Sequence, residues 1–163
     1  MSKQPYLITD AKITDSSLIA HFWQAIDSEA PKRPFGGDTG SKQQRARDII
    51  AHAISSPAAH VLTANDGDTI IGTITGHLYQ RPVVKLSSVG VIYSLWVAPE
   101  YRSQGIGQSL LDAIEHQLTS MGAEAFQVGW DTGNQYAAKW WQKRGYSAYE
   151  TIASKHNPDT EVK

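Results

Sequence analysis

The sequence predicts an α/β fold, α+β in its ordering, with helices packed on one mixed sheet. Three observations predict it. Apolar residues at helical spacing alternate along the chain with short β-rich runs. Asp66-Gly67 falls between two such runs and marks a hairpin. Residues 88–121 read as a strand, a glycine-bearing turn and an amphipathic helix. The expected order is strand, two helices, three strands, helix, strand, helix, strand.

Residues 6–13 form the expected first strand. Thr14 or Asp15 offers a side-chain oxygen to cap the helix that follows, in which Leu18, Ile19, Phe22, Trp23 and Ile26 recur at helical spacing. Residues 31–41, rich in Pro and Gly, read as a loop. A second helix is expected over 42–55, with Ile49, Ile50 and Ile54 on its apolar side and Pro57 as its stop. Lys42, Arg45, Arg47 and Asp48 give it a solvated, mixed-charge face.

His60–Ala64 and 69–79 are the two hairpin strands. Gly72 and Gly76 within the second signal a bulge or a close approach of other atoms. A third strand covers 88–97 and ends before Pro99. In the next helix, 106–121, the residues Ile106, Leu110, Leu111, Ile114, Leu118 and Met121 share one face, and Gly122 stops it. Residues 124–130 form a strand, Asn134 opens a last helix that ends before Gly145, and Tyr146–Ser154 is expected as the final strand.

Composition narrows the function. The 163 residues suit one domain over 1–163, and 40% hydrophobic residues are enough for a core. A net charge of -1 argues against a nucleic-acid binder that works through a general basic surface. The chain has no cysteine, which excludes disulfides, thiolate catalysis and Cys-ligated zinc. His21, His52, His60, His116 and His156 show no ligand spacing, so no metal is expected. No stretch approaches the roughly 18 apolar residues of a membrane span, and Met1–Pro5 does not lead into a signal-peptide core. The expectation is a soluble, cytoplasmic protein with no nucleic-acid or membrane partner.

The chemistry lies in Leu95-Trp96-Val97-Ala98-Pro99-Glu100-Tyr101-Arg102-Ser103-Gln104-Gly105-Ile106-Gly107-Gln108. A strand runs into a turn with Arg-x-x-Gly-x-Gly spacing, and the turn opens a helix. The free N–H groups and partial positive charge of a first helical turn attract anions. Glycines let a ligand come close to the backbone, and Arg102 adds a permanent charge. A plain turn with glycines that relieve crowding is the competing reading. The loop lacks the Gly-Lys-Ser/Thr of a P-loop. It also has Leu110 where a dinucleotide fingerprint needs its third glycine.

This segment resembles the acetyl-CoA-binding motif of the GNAT N-acetyltransferase superfamily. A second block, Asn134, Ala137, Trp140, Trp141, Gly145 and Tyr146, also matches that family's Asn-x-x-Ala-x-x-hydrophobic-Tyr-x-x-x-Gly-Phe pattern in register. The resemblance implies a mostly antiparallel, twisted sheet with about four helices and splayed central strands. It also implies acetyl transfer from acetyl-CoA, as cosubstrate, to a primary amine of a small molecule. Pantetheine would pair with Leu95, Trp96 and Val97 as an added strand would. Pyrophosphate would sit on the amides of 103–108, that is Ser103, Gln104, Gly105, Ile106, Gly107 and Gln108. Asn134 would contact the pantetheine arm or the acceptor side.

One position departs from the family. Its usual tyrosine, which protonates the leaving thiolate, is Trp141 here, and an indole N–H is too weak an acid for that. Tyr136 is the nearest phenol in the same helix, with Tyr93 and Tyr101 as others. For the base, His77 comes first and Asp131 second; a strand histidine with a satisfied hydrogen bond is the competing reading of His77. Glu100 reads as structural. Trp23, Trp96 and Trp130 fall where they could border an apolar or cationic acceptor, although core packing accounts for such residues too. Trp140 and Trp141 cannot both point inward from one helix, so one of them is expected at a surface or an interface. The 31–41 loop would help shape the acceptor pocket. A protein or peptide amine, or a non-catalytic acyl-CoA module, are the alternatives. The family and the exposed aromatics are compatible with a homodimer.

Overall fold

The computed structural model describes residues 5–29, 40–80 and 87–155. The described strands form one sheet in the order β1-β2-β3-β4-β5: β1 Leu7–Asp10, β2 Ala59–Asp66, β3 Thr69–Gln80, β4 Ser88–Val97 and β5 Ala125–Val128. The first three pairings are antiparallel, and β4–β5 is parallel. Parallel neighbours need a crossover, supplied here by helix α3, Ile106–Ser120. The other helices are α1 Ser16–Glu29, α2 Gly40–Ser55 and α4 Gln135–Gln142. The expected mixed sheet with four helices is the fold observed.

The β2–β3 turn is Gly67-Asp68, with Gly67 at φ +57°. The sheet has a separate core on each face. On one, Ile106, Leu110, Leu111, Ile114 and Leu118 of α3 are buried against Leu62, Ile74 and Ile92, joined by Trp141 of α4. Each such side chain contributes roughly 1.5–3 kcal/mol on burial. On the other, Ile19 and Ala20 of α1 and Ile50 and Ala53 of α2 pack with Val61.

Gly72 and Gly76 mark a close approach. A Cβ on Gly76 would lie 2.8 Å from Ile114 Cγ1 and 2.9 Å from Leu118 Cδ1. On Gly72 it would lie 3.0 Å from the Trp96 carbonyl oxygen. These bare positions let α3 sit flush on the sheet.

Several expectations are corrected. Asp15 does not cap α1: it belongs to a 3-10 turn, Ile13–Asp15, and its carboxylate accepts from the Lys12 N–H at 2.7 Å. Leu18 and Ile49 are substantially exposed, because the packed stripes of α1 and α2 are narrower than their apolar sequence suggests. Tyr146–Ser154 is not a strand. Tyr149 and Ile152 are exposed there and find no core face whose burial would offset the ordering cost of pairing. Residues 31–39 of the expected loop lie outside the described residues, and Gly40 and Ser41 are the first residues of α2.

Candidate active site

The site begins with a break in the sheet. β4 and β5 pair only from Val89↔Ala125 to Ile92↔Val128, while β4 continues to Val97. Just beyond Ile92, the β3–β4 register shifts between Thr73↔Trp96 and Thr75↔Tyr93, so β4 carries one extra residue. Ser94 lies in this bulge at φ +56°, a conformation that costs a non-glycine residue about 1–2 kcal/mol. The bulge bends β4 away from β5. A cleft of about 710 Å³ opens between the strands, with α1 and α4 also contributing to its walls.

At its mouth is the N-terminus of α3. Gly105 is the N-cap at φ +84° and has no side chain to cap the helix. The amides of Ile106, Gly107 and Gln108 therefore lack intrahelical partners and face an anion-binding position. Ser103 also has positive φ, at +62°, and helps turn the loop.

Of the residues expected at the cosubstrate site, Leu95, Trp96, Val97, Arg102, Ser103, Gly105, Ile106, Gly107, Gln108, Asn134 and Trp141 line the cleft. Gln104 does not; its side-chain amide donates to the Glu100 carbonyl at 3.2 Å. Arg102 is less available than its position in the motif suggests. Its Nε donates to the Val97 carbonyl and its Nη2 to Glu29 Oε1, each at 2.9 Å. The arginine thus ties the loop to the end of α1. Asn134 caps α4, its Oδ1 accepting from the Ala137 N–H at 3.0 Å, which leaves its amide NH2 for a ligand.

The catalytic candidates separate. Asp131 and Tyr136 line the cleft, and His77 does not. His77 pairs with Ala59 and Val91 across the sheet, and its ring stands edge-on to Tyr93 with centroids 5.9 Å apart. Asp131 Oδ1 accepts from the Gly133 N–H at 2.7 Å, so its loop is held. Tyr136 precedes Trp140 and Arg144 at intervals of four, on a different face of α4 from Trp141. Tyr93 and Tyr101 also line the cleft. Burial pushes the Tyr93 phenol up, and Tyr101 donates its hydroxyl to Asp66.

Trp23, Trp96 and Trp130 all line the cleft. Trp96 stacks on Phe22 with centroids 4.4 Å apart, and Trp23 stands edge-on to Tyr93. Of Trp140 and Trp141, the first is half-buried at the cleft surface and the second is buried. They meet edge-on at 4.8 Å, both line the cleft, and Arg144 covers Trp140. Arg144 lines the cleft as well and was not among the residues expected there. Its sequence signal is only a basic residue two helical turns after Tyr136.

Residues 22–146 match the model of the acetyltransferase (GNAT) family. The chain belongs to this family. GNAT proteins are acyl-CoA-dependent acetyltransferases, and the uncapped helix N-terminus beside an opened strand pair suits such a substrate. Among curated proteins, a mycothiol acetyltransferase from Propionibacterium freudenreichii is 26% identical over 109 residues, 65% of this chain. The match spans 33% of that protein, so the chain corresponds to about a third of its length. Solved structures share the fold. A GCN5-related N-acetyltransferase from Ralstonia eutropha has a TM-score of 0.76 at 19% identity, covering 93% of this chain and 98% of its own. A predicted acetyltransferase from Clostridium acetobutylicum, solved with acetyl-CoA, has a TM-score of 0.77 at 14% identity, covering 93% and 96%. An aminoglycoside acetyltransferase from an uncultured soil metagenomic sample, in complex with sisomicin, has a TM-score of 0.67 at 18% identity, covering 93% and 95%.

Proposed function

We propose that this GNAT chain transfers the acetyl group of acetyl-CoA to a primary amine of a small molecule by direct attack. The observation that carries this reading is the parting of β4 and β5 beside an α3 N-terminus that has no side-chain cap. Pantetheine extends β4 along Leu95, Trp96 and Val97, and the pyrophosphate takes the amides at the start of α3. The neutral amine attacks the thioester carbon, the new C–N bond forms, and the C–S bond breaks as the thiolate leaves. Asp131 takes the amine proton, directly or through water. The thiolate takes its proton from solvent, because Trp141 occupies the place of the family's usual phenol and Tyr136 lies on another face of α4.

A small acceptor is supported by the aromatic lining from Trp23, Trp96 and Trp130. The similarity to enzymes named for mycothiol and aminoglycosides, both small amine-bearing molecules or their products, points the same way. Titration calorimetry with acetyl-CoA, CoA and ATP, followed by an amine panel read by thiol release, tests the reading. Saturable binding of both CoA forms but not ATP, with turnover on small amines, is the expected result. Binding without turnover on any amine leaves an acyl-CoA-binding module; turnover only on peptides assigns a protein acceptor.

Replacing Trp141 tests the protonation step. Trp141 is 6% exposed and packs edge-on to Trp140 and Tyr146, so Trp141→Tyr loses about 1 kcal/mol of packing. Acetyl-CoA affinity is expected to stay within about threefold, and turnover to rise about tenfold as a phenol replaces solvent as the acid. Unchanged turnover would show that protonation of the thiolate is not the slow step.

A further inference from the structure

We propose that Arg144 binds the ribose 3′-phosphate of coenzyme A and so selects the phosphorylated cosubstrate over its dephospho form. The inference rests on the acetyl-CoA reading and adds a ligand that the motif residues do not supply. Among the described residues, two basic side chains, Arg102 and Arg144, line the cleft. Arg102 is already engaged by Glu29 and the Val97 carbonyl. Arg144 is held differently. Its guanidinium carbon lies 3.4 Å from the centroid of the Trp140 ring, and its Nη1 donates to the Trp140 carbonyl at 2.8 Å. Its Nε is buried without a partner. Among the described residues no carboxylate lies within ion-pair distance of it.

Stacking on an indole fixes the plane of a guanidinium while leaving its edge open, which suits a fork that must meet phosphate oxygens. An arginine placed this way keeps several donors unspent and loses little freedom when an anion arrives. Burial draws the guanidinium down from the ordinary arginine range, and Tyr136 and Asp112 oppose that. Asp112 itself accepts from the Gln108 side-chain amide at 2.7 Å.

Position separates this site from the pyrophosphate. Trp140 also stands over Gly107, where a Cβ would come within 3.3 Å of its Cζ2. Arg144, in the turn that follows α4, is therefore one indole removed from the phosphate-binding turn, on the side where Trp140 stands. The pyrophosphate has the α3 amides. The phosphate left for Arg144 is the one on the ribose.

The test is calorimetric titration of CoA and 3′-dephospho-CoA into the intact wild-type protein, Arg144→Gln and Arg144→Lys. For Arg144→Gln, affinity for CoA is expected to fall about tenfold, the loss of one charge-assisted contact. Its affinity for 3′-dephospho-CoA should match that of the wild type, and Arg144→Lys should recover part of the CoA affinity. Equal losses for both ligands would overturn the proposal, since Arg144 would then serve the pyrophosphate or only the packing of Trp140. Undiminished CoA affinity in Arg144→Gln would overturn it too. Failure of the wild type to bind either ligand would instead defeat the acetyl-CoA reading itself.

Discussion

Gly105→Glu is expected to weaken acetyl-CoA binding by more than about 100-fold while the protein still folds. The two halves of that statement have separate causes. Gly105 caps α3 at φ +84°, so any side chain there carries left-handed strain of about 1–2 kcal/mol. A Cβ at this point meets nothing within 4 Å, so no core contact is lost. The new carboxylate lies at a helix N-terminus, where a negative charge is favourable and offsets part of the strain. Binding has no such compensation. The same carboxylate occupies and neutralises the position that the amides of Ile106, Gly107 and Gln108 offer to pyrophosphate. Gly105→Ala isolates the strain, because it adds the Cβ without the charge, and it should keep most of the affinity. Calorimetry with a melting curve on each variant checks both. A folded Gly105→Glu protein with undiminished affinity would remove this turn from the cosubstrate site.

Gly76→Val should have the largest effect on stability, lowering it by about 3 kcal/mol. The Cβ alone would stand 2.8 and 2.9 Å from Ile114 and Leu118, and the valine methyls would press further. Flexible side chains can often yield to such pressure, but these two cannot move outward. Both are 0% exposed and enclosed by the α3 core. Leu118 is also hemmed in by Gly90, where a Cβ would lie 2.9 Å from the same Cδ1. Relief therefore requires α3 to lift from the sheet. For a chain of this length, about 3 kcal/mol corresponds to a fall in Tm of roughly 10 °C. Because α3 also carries the cosubstrate's helix N-terminus, acetyl-CoA binding should weaken in the same variant. A melting temperature within about 2 °C of the wild type would show that the helix seat is softer than its geometry indicates.

What could be read from the sequence was mostly local. The hairpin turn after Asp66, the α3 stripe from Ile106 to Leu118 and the Gly105–Gly107 turn are each set by residues within a few positions of one another. The backbone obeys those rules nearly everywhere. The features that escaped depend on partners far along the chain. Arg102 looks like a free cation in its motif, but Glu29 reaches it from α1, 73 residues earlier. His77 suits a general base by chemistry, yet it is not part of the cleft lining and stands edge-on to Tyr93, which is. Tyr146–Ser154 is expected as the final strand, but no ladder takes it up. Arg144 reads as one more surface charge until α4 is placed beside α3. The aromatic lining was partly legible, since Trp23, Trp96 and Trp130 all reach the cleft, but helical spacing alone did not show that both Trp140 and Trp141 line it.

The bulge at Ser94 has a consequence for how the molecule behaves among its own copies. A strand whose neighbour has peeled away presents unspent N–H and C=O groups, the kind of edge along which proteins join and precipitate. Here that edge is recessed. Trp23 and Ile26 of α1 and Trp140 and Trp141 of α4 line the cleft into which it opens. A slender, flexible chain can slide between them, whereas a neighbouring protein's strand arrives with a whole sheet behind it. The aromatic walls thus act as a sieve by width, so the fold keeps an open edge for its ligand without offering it as a seed for aggregation.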